Sequence, residues 1–366
     1  MRTNRIAAQT AITSAVVIAL GALAIAPASA SRPTPHRSAA SAAASAADPP
    51  NPNAEPTGRI VWTRGGEEGL HLMTSRADGT DARALTDPQP DVVDIDADIS
   101  PDGSLVVFDR ERGDQVDIVV IGIDGSDERV VDFGCTSPCI DDVIPTWDPT
   151  GTQIYFTRVI DPQNELGWVA GLWAANLDGT GAHSITPAGF DPRFEDYGAT
   201  FLPSGEMVFL RYDNVELVSA LFRHDADGVD HQLTDWSIDA DVHDVSPATT
   251  GPSAGLVVFE TYGHGAPDGV AQAIGTVPAY CATLEVCLAR TRILTSTVID
   301  EADPRQNFNP TWSSGGRSIT YTAVTRGTPF WNAEIATMTW NGRLSQDLTS
   351  GPEFDFRPDW GPEPAQ

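Results

Sequence analysis

The sequence predicts an all-β protein, a six-bladed β-propeller of four-stranded blades closed by a C-terminal strand that joins the first blade. Three observations predict it. First, a short phrase recurs: Ser-Pro-Asp-Gly at 100–103, Pro-Thr-Gly at 149–151, Pro-Ser-Gly at 203–205, Gly255 in SAGLVVFET, and Ser-Gly-Gly at 314–316. The successive glycines Gly103, Gly151, Gly205, Gly255 and Gly315 lie 48, 54, 50 and 60 residues apart. A period of this size marks stacked units that cannot bury their faces alone. Second, each copy leads into a β-prone run: SLVVFDR, TQIYFTR, EMVFLRY, LVVFETY and SITYTAV. Third, the phrase returns once more near the C-terminus, in FDFRPDWGP at 354–362, with no further unit behind it.

Each unit parses into four strands. The first ends at a large apolar position: Ile99, Trp147, Phe201, Val245 or Trp312. The second is the β-prone run. The third reads GLHLMTSR, DIVVIGI, GLWAANL, SALFRHD and AEIATMTW. It ends in a tight turn at Asp78-Gly79, Asp124-Gly125, Asp178-Gly179, Asp227-Gly228 and Asn341-Gly342. Such dipeptides supply the positive φ angles of hairpins. The fourth reads ARALTD, ERVVDF, AHSITP, HQLTD, RILTS and SQDLTS. Six units result, at 58–93, 94–140, 141–190, 191–236, 237–300 and 301–350. The first lacks its own first strand, and the segment around Pro358 and Trp360 supplies it, so no sheet edge stays open. A β-sandwich explains neither the period nor the orphan terminal strand. The fifth unit stands apart, with a long segment between GLVVFET and RILTS, about 262–292, that is read as an insertion suited to recognition.

Residues 1–30 read as a secretory signal peptide. Arg2 and Arg5 precede an apolar run from Ala15 to Ala26, and Ala28-Ser29-Ala30 has the spacing of a cleavage site. Residues 31–57 are rich in Ala, Ser and Pro and read as a disordered linker, because they offer little to bury against their ordering entropy. The propeller is expected over 58–362, secreted or periplasmic, and monomeric. With 51 Asp plus Glu against 22 Lys plus Arg, the net charge of -29 argues against nucleic-acid binding and against an anionic membrane surface. The four cysteines form two close pairs, Cys135 with Cys139 and Cys281 with Cys287. An even count in an exported chain suggests disulfides, local pairing being the simplest, and neither spacing matches a zinc knuckle.

The repeated pattern Asp-x-x-Pro-x-Trp-x-Pro-x-Gly, then a β run, Asp-Gly and Leu-Thr, resembles the WD40-like (PD40) repeat of TolB-type propellers. The clearest copies are DVIPTWDPTGTQIYFTR at 142–158 and NFNPTWSSGGRSITYTA at 307–323. The resemblance covers about 58–362. The Trp-Asp dipeptide of true WD40 repeats is absent from the fourth-strand ends. The resemblance implies a six-bladed propeller; members of this family are variously protein-binding scaffolds, ligand-binding modules or gates fused to hydrolases.

Five residues before the large apolar position a polar side chain recurs: Asp94, Asp142, Asp196, Asn307 and Asp355, with Asp239 or Asp241 the nearest match in the fifth unit. Placed on the crossings between blades, Asp94, Asp142, Asp196, Asp241, Asn307 and Asp355 would ring one mouth of a central channel. There they either accept backbone N–H bonds or present oxygen ligands to Ca²⁺ or a cationic peptide. No nucleophile elbow and no HExxH motif is present. The function expected is a non-catalytic scaffold for a protein, peptide or envelope component, with no cofactor unless Ca²⁺ binds. The alternatives are a polysaccharide- or peptide-degrading enzyme using paired carboxylates at the channel mouth, and a carbohydrate-binding propeller using Trp62, Trp168, Trp236 or Trp331.

Overall fold

Val106, Val107 and Phe108, three consecutive residues of LVVFDR, are all fully buried, although neighbouring side chains of a strand point to opposite faces. A strand buried on both faces lies inside a stack of sheets, and that is its place in the computed structural model. The structure describes residues 57–66, 69–161, 168–186, 193–262, 272–295, 305–325 and 332–364. The signal peptide, nearly all of the linker, Trp331 and residues 263–271 of the fifth unit lie outside these residues.

The first sheet contains β1 (Arg59–Gly66), β2 (Gly69–Arg76) and β3 (Arg83–Ala84). The second contains β4 (Val92–Ile99), β5 (Leu105–Arg112), β6 (Gln115–Gly122) and β7 (Arg129–Val130). In the third are β8 (Cys139–Trp147), β9 (Gln153–Ile160), β10 (Val169–Asn176) and β11 (His183–Ser184). The fourth has β12 (Phe194–Phe201), β13 (Met207–Asp213), β14 (Val218–His224) and β15 (Asp230–Gln232). The fifth has β16 (Ala240–Val245), β17 (Leu256–Thr261), β18 (Ala273–Pro278) and β19 (Arg292–Ile293), with helix α1 (Leu284–Arg290) between the last two. The sixth has β20 (Arg305–Trp312), β21 (Ser318–Thr325), β22 (Ala333–Thr339) and β23 (Gln346–Asp347). The last strand, β24 (Phe354–Gly361), returns to the first sheet and pairs antiparallel with β1, from Arg59↔Gly361 to Gly65↔Phe354. Each sheet is then four antiparallel strands. A single parallel pairing, Leu70↔Val93, links the first two.

Alternation along each strand sends side chains into two different cores. Val106 and Phe108 of β5 pack with Val61 and Leu72 of the first sheet, while Val107 packs with Trp147, Ile154 and Phe156 of the third. Leu172 of the third meets Met207 and Phe209 of the fourth. Val258 and Ile274 of the fifth meet Trp312 and Tyr321 of the sixth. Ile335 and Leu348 of the sixth meet Ile60, Trp62, Met73 and Trp360 of the first. The last sheet therefore packs on the first, as closure by β24 demands.

Two details differ from the sequence reading, and the cysteine pairing agrees with it. The turn glycine of the sixth unit is Gly316, not Gly315: Gly316 takes φ +70° and its N–H donates to the Ser313 carbonyl at 2.8 Å. The fifth unit has a regular third strand, because AIGTVP within the expected insertion is β18, buried throughout and paired with β17. It was hidden because no Asp-Gly turn follows it; the chain runs instead into α1. The cysteines pair locally, Cys135 with Cys139 and Cys281 with Cys287, and the second disulfide ties α1 to the end of β18. Among the described residues no helix is long and apolar enough to cross a membrane.

Trp360 is buried at the junction of β24 with the sixth-sheet core. Trp360→Ala is expected to cost about 3–5 kcal/mol of unfolding free energy, read as a lower urea midpoint. An unchanged midpoint would mean that the terminal strand does not support the closure.

Candidate functional site

The recurring aspartates lie within the first strand of their sheets, not on the crossings, and they face arginines of the second strand in direct register. Asp94 opposes Arg110, Asp142 opposes Arg158, Asp196 opposes Arg211, and Asp355 opposes Arg64. Each pair is bidentate, two N–H donors on two carboxylate oxygens. The distances are 2.6 and 2.8 Å for Arg110–Asp94, 2.7 and 2.7 Å for Arg158–Asp142, 2.6 and 2.9 Å for Arg211–Asp196, and 2.7 and 2.8 Å for Arg64–Asp355. The Arg110 and Asp94 side chains are 4% and 1% exposed. Burial opposes the charge on Arg110, but the bonds from Asp94 and Glu128 outweigh it and raise its pKa. Burial also pushes the Asp142 carboxyl up, against the pull of Arg158. Desolvated ions of this kind are held only because both partners are present. The signal was in the sequence, since WTR, FDR, FTR and FLR all place an arginine at the end of the second strand.

Two sheets depart from this pattern. In the sixth, Asn307 faces Ala323. In the fifth, Ala240 and Thr261 occupy the paired positions, and Asp241 sits one residue further on, in a β-bulge. The four paired aspartates are thus committed to arginine, while Asn307 and Asp241 stand in different surroundings.

A second layer of carboxylates lies deeper along the first strands. Asp98, Asp244 and Asp359 stand one residue before the large apolar position, where the other first strands carry Thr146, Thr200 and Thr311. Each carboxylate reaches to the next sheet. Asp98 Oδ2 accepts from the Trp147 N–H at 2.6 Å and from Thr146 Oγ1 at 2.7 Å. Asp244 Oδ2 accepts from the Trp312 N–H at 2.6 Å, and Asp359 Oδ2 from the Ile99 N–H at 2.8 Å. Asp98, Asp244 and Asp359 are each partly buried. Burial, with mutual repulsion added, raises Asp98 and pushes Asp244 up to about 7.

Closer to the bulges, Arg357 pairs with Asp96. Asp109 Oδ2 accepts from the Ile144 N–H at 2.8 Å, while its buried Oδ1 has no partner among the described residues. Burial, then the neighbouring Asp96 charge, raises Asp109 well above the usual carboxylate range. Glu260 accepts from the Asn309 N–H at 2.9 Å and from Gln272 Nε2 at 3.0 Å, and burial followed by the Asp241 charge raises it to about 8. Burial, then Asp239, raises Asp241 to about 6. Each oxygen of Glu260 accepts a hydrogen bond.

A Ca²⁺ site gathers several oxygens at 2.3–2.6 Å from one point. Among the described residues, the group of metal-ligand side chains whose atoms gather within 4.8 Å is Cys135, Cys139 and Asp142. Its sulfurs are bonded to each other at 2.04 Å and its carboxylate is held by Arg158. The interior carboxylates are spread more widely than that. Of the tryptophans proposed for sugars, Trp62 is buried, Trp236 stacks on Phe194, and Trp168 is exposed.

No family model matches the chain, and no curated protein matches it in sequence. Solved structures do. TolB from Acinetobacter baumannii is similar at a TM-score of 0.60 and 16% identity, over 84% of this chain and 67% of that one. A putative TolB from Agrobacterium tumefaciens is similar at 0.56 and 14% identity, over 84% of this chain and 99% of that one. A chain of a nidogen/laminin complex is similar at 0.57 and 12% identity, over 84% of this chain and 99% of that one. At such identities the likeness concerns the fold, which is that of a TolB-like β-propeller; ligands do not follow from fold alone.

Two outcomes are expected. Arg110→Met, which strands Asp94 in the interior, should cost about 3–5 kcal/mol in urea unfolding, and adding Asp94→Leu should restore most of it. An equal loss in the double variant would make packing, not charge, the cause. Separately, native values of about 6, 7 and 8 for Asp241, Asp244 and Glu260 exceed the value of about 4 for unfolded carboxylates. The folded chain then binds more protons than the unfolded chain across that window, so stability falls as pH rises from about 5 to about 8. Thermal unfolding should come at a higher temperature near pH 5.5 than near pH 8.5; the reverse order would mean that these groups are ionised in the folded chain.

Proposed function

We propose that the chain is an exported, non-catalytic, six-bladed propeller that binds a protein, peptide or envelope component at the end of the sheets where first strands begin and second strands finish. The observation that carries this reading is a set of exposed apolar side chains at that end. The β13–β14 turn holds Val215 and Leu217 at 67% and 58% exposure, and Trp168 and Tyr262 stand exposed beside the turns of the neighbouring sheets. Exposed apolar side chains gathered at one end of the sheets are the feature that points to a partner-binding surface. The Asp–Arg pairs lie toward the same end of the strands, their carboxylates buried within the sheets. The TolB-like fold supports a scaffold role in general.

A catalytic reading is not favoured, because the carboxylates of Asp94, Asp142, Asp196 and Asp355 are held by arginines and those of Asp98, Asp244 and Asp359 by backbone N–H groups. The two disulfides support an extracytoplasmic site, where such bonds persist, and residues 1–30 supply the export signal. A monomer that needs no cofactor completes the reading.

The test is cross-linking of the full chain in its native envelope and exterior fractions, alongside Val215→Asp/Leu217→Asp. The wild type is expected to give a discrete adduct that the variant loses at unchanged melting temperature. An adduct of equal yield in the variant would remove this surface from the function.

A further inference from the structure

The threonine that ends each fourth-strand phrase has a structural task, and one sheet lacks it. In five sheets its Oγ1 accepts from a backbone N–H in the third strand. The bonds run from Leu72 to Thr86, Leu172 to Thr186, Leu221 to Thr234, Ile274 to Thr295 and Ile335 to Thr349, at 2.8–3.0 Å. The residue before each threonine donates its own N–H to the carbonyl of the same third-strand residue. In the second sheet this last bond persists, from the Val131 N–H to the Ile118 carbonyl at 2.8 Å, but Asp132 stands in the threonine's place. Its Oδ1 accepts from the Gly134 N–H at 2.8 Å instead. The Ile118 N–H has no partner among the described residues, although Ile118 is only 3% exposed. A buried N–H is normally bonded.

The gap extends along the strand. The N–H and C=O of one strand residue point to the same side, and residues two apart share that side. Val116 therefore directs its backbone groups outward, as Ile118 does, at a level that the two-residue strand β7 does not reach. The first half of β6 thus presents an edge with no strand beside it among the described residues. Such an edge is a template for another strand.

A cleft of about 460 Å³ lies along this edge, bounded by residues 114–118, by 130–133 and by the start of β8 at 140–142. The volume lies within the range of ligand sites. Val130 and Ile140 line it and are 54% and 37% exposed, and Val116 is half-buried. Five aspartates line it too. Asp117 is engaged by Arg112 and Gln115, and Asp142 by Arg158. The carboxylates of Asp114 and Asp141 have no partner among the described residues. Residues 162–167 and 187–192, which flank the described strands of the next sheet, contain no lysine or arginine.

We propose that β6 accepts an added strand from a partner protein, an extended basic segment whose backbone pairs with Val116 and Ile118 and whose lysines or arginines meet Asp114, Asp132 and Asp141. Main-chain bonds supply the affinity in this mode of recognition, and alternate side chains supply the specificity. Apolar residues between the basic ones rest on Val130 and Ile140. A second copy of this chain, at net charge -29, is repelled by the same acids. The edge belongs to the second sheet, whereas Val215 and Leu217 stand on the fourth, so it is tested separately from the surface proposed above.

The test is fluorescence-anisotropy titration of the full chain with a labelled, end-blocked hexapeptide, Lys-Val-Lys-Val-Lys-Val. Its controls are Glu-Val-Glu-Val-Glu-Val and the Lys-Val peptide with every backbone N–H methylated. The Lys-Val peptide is expected to bind, more weakly as salt rises, and the controls are not. Asp132→Thr restores the threonine of the other sheets and should weaken binding at least about tenfold, the value of one hydrogen bond plus a lost charge. Asp132→Ala, which removes the charge without closing the Ile118 N–H, should weaken it less, both variants keeping the wild-type circular dichroism. Val215→Asp/Leu217→Asp should bind the peptide as the wild type does. No binding of the Lys-Val peptide, equal binding of either control, Asp132→Thr binding no more weakly than Asp132→Ala, or loss of binding in Val215→Asp/Leu217→Asp would each overturn the proposal.

Discussion

Everything in this protein depends on the pairing of β24 with β1. The first sheet has only three strands of its own, and its open edge would expose backbone N–H and C=O groups along β1. The terminal strand satisfies those groups and at the same time delivers Phe356 and Trp360 to buried positions. Because the core between the sixth and first sheets includes Trp360, losing the pairing would open both a sheet edge and an apolar seam. The turn at Gly103 carries the same dependence: a Cβ there would collide with the backbone of Pro362, so the chain end rests on that turn.

A chain of net charge -29 must also place many carboxylates without mutual repulsion undoing the fold. Two solutions recur here. Where a first strand meets a second, an arginine neutralises the aspartate across the strand pair. Deeper, Asp98, Asp244 and Asp359 accept backbone N–H groups of the following sheet, so a single carboxylate fixes the spacing of two sheets. At Asp109, Oδ2 likewise accepts a backbone N–H of the following sheet while Oδ1 has no partner among the described residues, and burial raises the carboxyl. The paired aspartates thus join the first two strands of one sheet, while Asp98, Asp244 and Asp359 join one sheet to the next.

Much of the candidate site was present in the sequence but not legible there. The recurring Asp94, Asp142, Asp196 and Asp355 were visible, and so were the arginines ending each second strand. That each aspartate faces its arginine is a matter of register, which depends on the β-bulge between them, as at Ile95/Asp98. The longer loop between β16 and β17 was hidden because Gly255 keeps the phrase in step while the extra residues precede it. β18 was hidden because its usual turn is replaced by a disulfide-bound helix.

The sequence by itself determined the fold class, the four-strand unit, the return of the last strand to the first sheet and the cysteine pairs, because each is a local pattern: alternation, turn dipeptides, a period and short spacing. Only the tertiary structure decided which carboxylates are paired, which are enclosed and where a cleft forms. Those properties arise between sheets, from residues far apart in the chain, and no periodicity encodes the distance across a strand pair or the space between neighbouring turns.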